Sequence, residues 1–206
     1  MSFETNYWSE IYAGRLIDGT FNASKHADYI KSIFALSEFP IRKIIDIGFG
    51  KGKILEQEAK KLHPDHIIAL DTSKLMVETL KKKTWIGKYN IAIAHTKFEE
   101  FNTDYLEKYP LDLAIANSVF QYIEDVDFSL KKLASIARFS YFSVPTKNDY
   151  LRMENELNFK DKYAASRTKT FYLEILNKYF TRVSFNVLES KIVREHSYFT
   201  AELYRG

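Results

Sequence analysis

Short apolar runs alternate along this chain with longer stretches whose apolar positions recur every three or four residues, and that alternation predicts a parallel β-sheet covered by helices. The runs "KIIDIG" (43–48), "HIIAL" (66–70), "NIAIA" (90–94), "LDLAIA" (111–116) and "RFSYFSV" (138–144) read as strands. After the first strand, Ile54, Leu55, Ala59 and Leu62 fall on one side of a helix; after the fourth, Leu130, Leu133, Ala134 and Ala137 do the same. Such stripes are core positions. A further helix is expected over 21–36, ahead of the sheet.

The last third changes character. A polar stretch follows "VPTKNDY" to about position 170, and "FYLEILNKYF" then sets Phe171, Tyr172, Ile175, Leu176 and Tyr179 on one helical face. "TRVSFNVL" alternates Val183, Phe185 and Val187 with Arg182, Ser184 and Asn186, the period of a half-buried strand, and "SYFTAELY" reads as a final strand. The connection between these two is too short for a crossover helix, so they should pair antiparallel. The expected fold is α/β: a seven-stranded, mainly parallel sheet with an antiparallel C-terminal hairpin and helices on both faces. One domain over 1–206 is expected, with an N-terminal lid or helix (1–36), a core (41–144), a polar insert (145–170) and a C-terminal helix and hairpin (171–206). Tyr7, Trp8 and Tyr12 make the N-terminus aromatic, suited either to dock on the core or to cover a ligand.

Composition narrows the chemistry. Cysteine is absent, which excludes disulfides, thiolate metal sites and cysteine nucleophiles. The 30 Lys and Arg against 27 Asp and Glu leave a diffuse net charge of +3, without the basic stripe that nucleic acid requires. The densest run, "LKKKT" (80–84), fits the solvated end of a helix, where cations suit the dipole. No apolar run approaches the roughly 20 residues of a membrane span. The start of the sequence lacks the pattern of a secretory signal, so a cytoplasmic location is expected, with no membrane or nucleic-acid partner.

Glycine is scarce, yet "KIIDIGFGKGKI" (43–54) holds three of the seven glycines within five positions, on the turn that leaves the first strand. In an open parallel sheet that turn is the usual ligand contact. A phosphate-binding P-loop would need glycine at Ile47 and a hydroxyl at Ile54. A dinucleotide fingerprint would need a small residue at Lys53. Asp46, two positions before Gly48, argues further against a phosphate. A carboxylate there repels a pyrophosphate and attracts an ammonium or sulfonium, by roughly 1 to 4 kcal/mol at contact distance in a partly screened site. The turn suits a cationic or zwitterionic ligand.

With an acidic residue followed by G-x-G-x-G, at Asp46, Gly48, Gly50 and Gly52, the chain resembles the class I S-adenosylmethionine (SAM)-dependent methyltransferases. The resemblance covers about 41–144. It implies SAM as cofactor, with Asp71 in "IIALDTSKLM" accepting the ribose hydroxyls and the residues from Thr72 to Met76 walling the adenine. On the residues alone, Asp71 is also placed to cap the helix that follows it. "LDLAIANSVFQYIED" is similar to the family's fourth strand and its loop, which places Asn117, Ser118 and Val119 beside the methionine end and Gln121 and Tyr122 near the methyl group. The chain departs from the family after the third strand: Thr96, Lys97 and Phe98 stand where a small residue, Asp and a hydrophobic residue are common, and Lys97 accepts no hydrogen bond. Adenine would then be met by the backbone around Lys97 and Phe98, or by Glu99.

Methyl transfer from a sulfonium can be driven largely by alignment. Where the acceptor must also lose a proton, histidine is the readiest shuttle. Among the five histidines, His63 and His66 lie at the wrong end of the sheet, His95 lies nearer adenine, and His196 precedes the last strand. His26 is the least poor catalytic candidate, beside Tyr122. "NSVF" (117–120) lacks the Asn/Asp-Pro-Pro-Tyr/Phe run of enzymes that methylate base amino groups or glutamine amides, which favours a small-molecule acceptor. In the insert, Tyr150, Arg152, Lys160 and Arg167 could grip an acidic one. A monomer or homodimer is expected. The competing readings are a nicotinamide-dependent oxidoreductase and a SAM-binding protein without catalysis.

Overall fold

The computed structural model describes residues 23–35, 40–158, 160–161, 163–188 and 196–202. The fold is α/β with a mainly parallel sheet. The chain divides into two compact units, one of Met1–Asn102 with Leu111–Leu113 and the other of Thr103–Pro110 with Ala114–Gly206.

In the first unit, helix α1 (Ala23–Ala35) precedes β1 (Lys43–Ile47), α2 (Lys53–Leu62), β2 (His66–Asp71), α3 (Lys74–Lys81) and β3 (Ile91–His95). Strand β2 is central, parallel to β1 from Lys43↔His66 to Ile47↔Leu70 and to β3 from Ile67↔Ile91 to Asp71↔His95. Ile44, Ile45 and Ile47 are all buried, the mark of a strand covered on both faces. The opening of β4 (Leu111–Asn117) continues this order beyond β1. There Asp112 accepts the amides of Arg42 and Lys43 at 2.7 and 2.8 Å, which sets the register where β1 begins. Helix α1 packs on α2 through the buried Ala27 and Ile30, and Lys61 of α2 bonds Asp28 and Ser24.

The second unit holds α4 (Asp104–Lys108), the rest of β4, α5 (Val126–Ile136), β5 (Ala137–Val144), α6 (Lys147–Leu157), α7 (Lys169–Tyr179), β6 (Arg182–Leu188) and β7 (His196–Glu202). Strand β7 lies between β5 and β6 and is antiparallel to both, from Phe139↔Glu202 to Val144↔Ser197 and from Arg182↔Glu202 to Leu188↔His196. The core of this unit is aromatic: Phe142 stands 4.8 Å from Phe120 and 5.9 Å from Tyr172 between ring centroids.

Strand ends differ from the sequence expectation by a residue or two. A larger difference lies in the insert, expected to be simply polar, where Lys147–Leu157 is helical. Thr146 and Asp149 form a capping box there: the amide and hydroxyl of Thr146 donate to Asp149 at 2.8 and 3.1 Å. Its apolar stripe is thin, with Met153 buried and Leu151 exposed, so periodicity does not mark it. Helix α4 was likewise not expected; at five residues it is too short to show a period. The aromatic residues Tyr7, Trp8 and Tyr12 lie outside the described residues.

Candidate cofactor site

Within the first unit, the turn after β1 takes left-handed backbone at Gly48, Gly50 and Gly52, with φ of 70°, 55° and 70°. That geometry is the local reason for the glycine cluster. Gly52 answers a packing demand as well, since a Cβ there would lie 2.5 Å from Leu80 Cδ1. The turn's amides meet protein acceptors: Gly48 N–H bonds the Leu70 carbonyl at 2.7 Å, and Gly50 N–H bonds Asp71 Oδ2 at 2.8 Å. Amides so engaged do not form a phosphate cradle.

Asp46 is 2% exposed, and its Oδ2 has no hydrogen-bond partner. Burial, with the charge of Asp71 second, pushes its carboxyl up to about 8. Glu58, on the buried side of α2, is 0% exposed with both oxygens unpartnered. Burial, and then the charge of Asp46, raises it well above the ordinary glutamate range. Burial also pushes Asp71 up to about 6, against the pull of the Ser73 and Gly50 amides. A buried acid with an unpartnered oxygen beside a glycine turn fits a cationic group, whose arrival would draw the Asp46 proton off.

Asp71 ends β2, and its Oδ1 accepts the Ser73 amide at 2.8 Å. The helix cap is Ser73 rather than Asp71: Ser73 Oγ accepts the Met76 amide at 3.3 Å. Thr72 is half-buried, its carbonyl 2.9 Å from His95 Nε2, and Met76 is buried at the start of α3. After β3, Thr96 donates its amide to the Asp71 carbonyl at 3.0 Å, so this stretch runs beside the β2 turn. Lys97 is half-buried and Phe98 buried. His26 is 2% exposed on α1, a core position.

In the second unit, β4 ends at Asn117, and Ser118 adopts φ 55°, a strained value for a residue with a side chain. Ser118 N–H bonds the Ser143 carbonyl at 2.8 Å, and Ser143 Oγ donates to Asn117 Oδ1 at 3.1 Å. Gln121 is 2% exposed and donates Nε2 to the Ser118 carbonyl at 2.9 Å. Asn117 Nδ2 and Gln121 Oε1 have no partner. Tyr122 donates its hydroxyl to Asp161 at 2.8 Å.

Basic side chains of the insert have protein partners. Arg167 donates to the carbonyls of Phe120 and Ile123 at 3.0 and 2.9 Å, Arg152 meets Glu156 at 3.3 Å, and Lys160 meets Glu154 at 3.3 Å. Among the described residues, no cluster of acidic or histidine side chains is suited to hold a metal, and no helix is long and apolar enough to cross a membrane.

Residues 44–139 match the family model described as "Methyltransferase domain". Over that stretch the chain is similar to methyltransferase domains. Comparison with curated proteins gave no match. Among solved structures, the chain resembles magnesium protoporphyrin IX methyltransferase from Synechocystis PCC 6803 with bound S-adenosylhomocysteine (SAH), at TM-score 0.69 and 16% identity over 92% of this chain and 88% of that one. The plantazolicin methyltransferase BpumL, in complex with a monoazolic desmethylPZN analog and SAH, gives TM-score 0.74 and 14% identity over 97% and 90%. A putative SAM-dependent methyltransferase from Listeria monocytogenes gives 0.65 and 16% over 88% and 100%.

Two features of the structure were not expected from the sequence. Glu58 had a signal, as an acid set among Leu55, Ala59 and Leu62 on an apolar face. The destination of Arg167 had none, because its carbonyl partners lie more than 40 positions away.

Proposed function

We propose that the chain transfers a methyl group from SAM to a small-molecule acceptor by in-line displacement, acting as a single cytoplasmic domain, monomer or homodimer, on a seven-stranded class I sheet with its hairpin at β6 and β7. The observation that carries this reading is Asp46, a buried acid with an unpartnered oxygen beside a turn of left-handed glycines. In the first unit, Asp46 would face the α-ammonium of the cofactor, Gly48 and Gly50 would let backbone approach it, and Asp71 would accept the ribose hydroxyls. Thr72, Met76, Lys97 and Phe98 are assigned to the adenine. Gly52 serves by letting α2 start close to Leu80. In the second unit, Asn117, Ser118 and Gln121 are assigned to the methionine end.

When bound, SAM supplies the methyl: its S–C bond breaks with the electron pair returning to sulfur, as the acceptor's lone pair forms the new bond. The residues' task is to hold that line and exclude water. An acceptor O–H or N–H would lose its proton to water or to a side chain, for which Tyr122, engaged with Asp161, is better placed than the buried His26. The solved relatives include methyltransferases named for a porphyrin and for plantazolicin, which supports an acceptor of low molecular weight. Calorimetry with SAM and SAH tests the reading; heat from both is expected, and no heat from either at millimolar ligand ends it. A panel of small acceptors, read by SAH formation, tests the acceptor class.

A further inference from the structure

We propose that Arg167 and Asp161, both in the polar insert, are positioning residues for the loop that follows β4, and that through this loop they set the affinity for the amino acid head of the ligand. The proposal rests on the cofactor reading above and goes beyond it, because it assigns a role to residues that the sequence offers only as contacts for an acidic acceptor.

The loop has little regular structure of its own. Its carbonyls are met instead from the insert: Arg167 Nη1 donates to Phe120 O at 3.0 Å, and Nη2 to Ile123 O at 2.9 Å and Glu124 O at 3.4 Å. The Ala165 amide donates to Gln121 O at 2.8 Å. Tyr122 OH donates to Asp161 Oδ2 at 2.8 Å, and Asp161 Oδ1 accepts the Tyr163 amide at 3.2 Å. The guanidinium carbon also lies 5.4 Å from the Phe171 ring centroid, on α7. A planar fork of donors bridging carbonyls three and four residues apart defines the loop's path in a way a single ammonium cannot.

What that path holds in place is strained and incompletely paired. Ser118 sits at φ 55°, and Gln121, with Nε2 fixed on the Ser118 carbonyl, is left with a buried acceptor, Oε1, that has no partner. A strained backbone and an unpartnered buried oxygen persist only where their surroundings over-determine them, and such places are drawn from ligand sites. An oxygen in this state calls for a hydrogen-bond donor, such as the ammonium of an amino acid head. Arg167 is therefore an organiser of the loop, not a clamp on the acceptor.

The test uses the full chain with two probes, SAH and adenosine, which lacks the amino acid head. Arg167→Met keeps much of the stem and removes every donor. The expected result is a loss of about tenfold or more in SAH affinity by calorimetry, with adenosine affinity unchanged and Arg167→Lys partly restored. SAH affinity within twofold of the parent overturns the proposal, as does an equal loss for both probes, which would mark a general loss of structure. If Arg167→Met does not fold, Tyr122→Phe, which removes the hydroxyl that bonds Asp161, is read the same way: a selective loss for SAH supports the proposal and none overturns it. Failure of the unaltered chain to bind SAH overturns the cofactor reading and this one together, whereas binding that Arg167→Met leaves intact overturns this one alone.

Discussion

Gly50 donates its backbone N–H to Asp71 Oδ2 at 2.8 Å, so the acid that ends β2 also holds the turn that leaves β1. Asp71 thus keeps the glycine turn in shape, and in the proposed site it would also receive the ribose. Asp71→Ala removes both, and SAH affinity should fall by about 1.5 to 3 kcal/mol, the range for hydrogen bonds to charged groups. Asp71→Asn keeps an acceptor for one amide and should lose less. Calorimetric titration of both variants checks this, and equal affinities for parent and Asp71→Ala would remove Asp71 from the site.

Asp46 should trade stability for binding. Its carboxyl is pushed up to about 8 in the folded chain from an ordinary 3.8, so the folded state holds the proton more tightly than the unfolded one. The stability of the free chain that depends on this proton is intact below about pH 4 and declines as the pH rises to about 8. Asp46→Asn should therefore raise the melting temperature at pH 9 by about 3 to 8 °C, raise it less at pH 5, and lower SAH affinity at both. Thermal melts at the two pH values, with and without SAH, decide it.

Binding by the unaltered chain should release protons. A cationic head beside Asp46 favours the carboxylate, so the group that is protonated in the free chain at neutral pH ionises in the complex. SAH titrations at pH 7 in buffers of different ionisation enthalpy should differ in observed heat, and affinity should rise between pH 6 and 8. Identical heats in all buffers would show that Asp46 does not change its proton on binding.

Glu58 carries two unpartnered oxygens in a fully buried position. Glu58→Met, similar in volume and apolar, should stabilise the chain by about 1 to 3 kcal/mol, read from urea unfolding at pH 8. The gain should shrink at pH 5, because the raised titration of the acid makes the cost of its burial grow with pH.

Gly52→Ala puts a Cβ 2.5 Å from Leu80 Cδ1, in a backbone conformation of φ 70°. Leu80 is 0% exposed and can yield only into packed core. A loss of about 1 to 3 kcal/mol in urea unfolding is expected.

Much of this was legible in the sequence because it is encoded over short distances. The strands show in the runs through Ile44, Ile67, Ile91 and Leu113, the α2 face in Leu55 and Ala59, and the turn in the spacing of Gly48, Gly50 and Gly52 behind Asp46. The acid-and-glycine pattern sufficed to name the ligand class, because backbone dihedrals and local charge are properties of a few consecutive residues. Helices α4 and α6 were missed because one is too short and the other too polar for a period to stand out.

Tertiary structure decided which groups are buried and what they meet. Sequence marks Asp46, Glu58 and Asp71 as acids; only the folded chain removes them from water and raises all three. Sequence offers Arg167 as one more cation of a polar insert; only the fold brings it to the carbonyls of Phe120 and Ile123, 47 and 44 positions earlier. Hydrophobic period and turn chemistry act between near neighbours and are written in their order, whereas desolvation and long-range hydrogen bonds depend on which distant segments the collapsed chain places side by side.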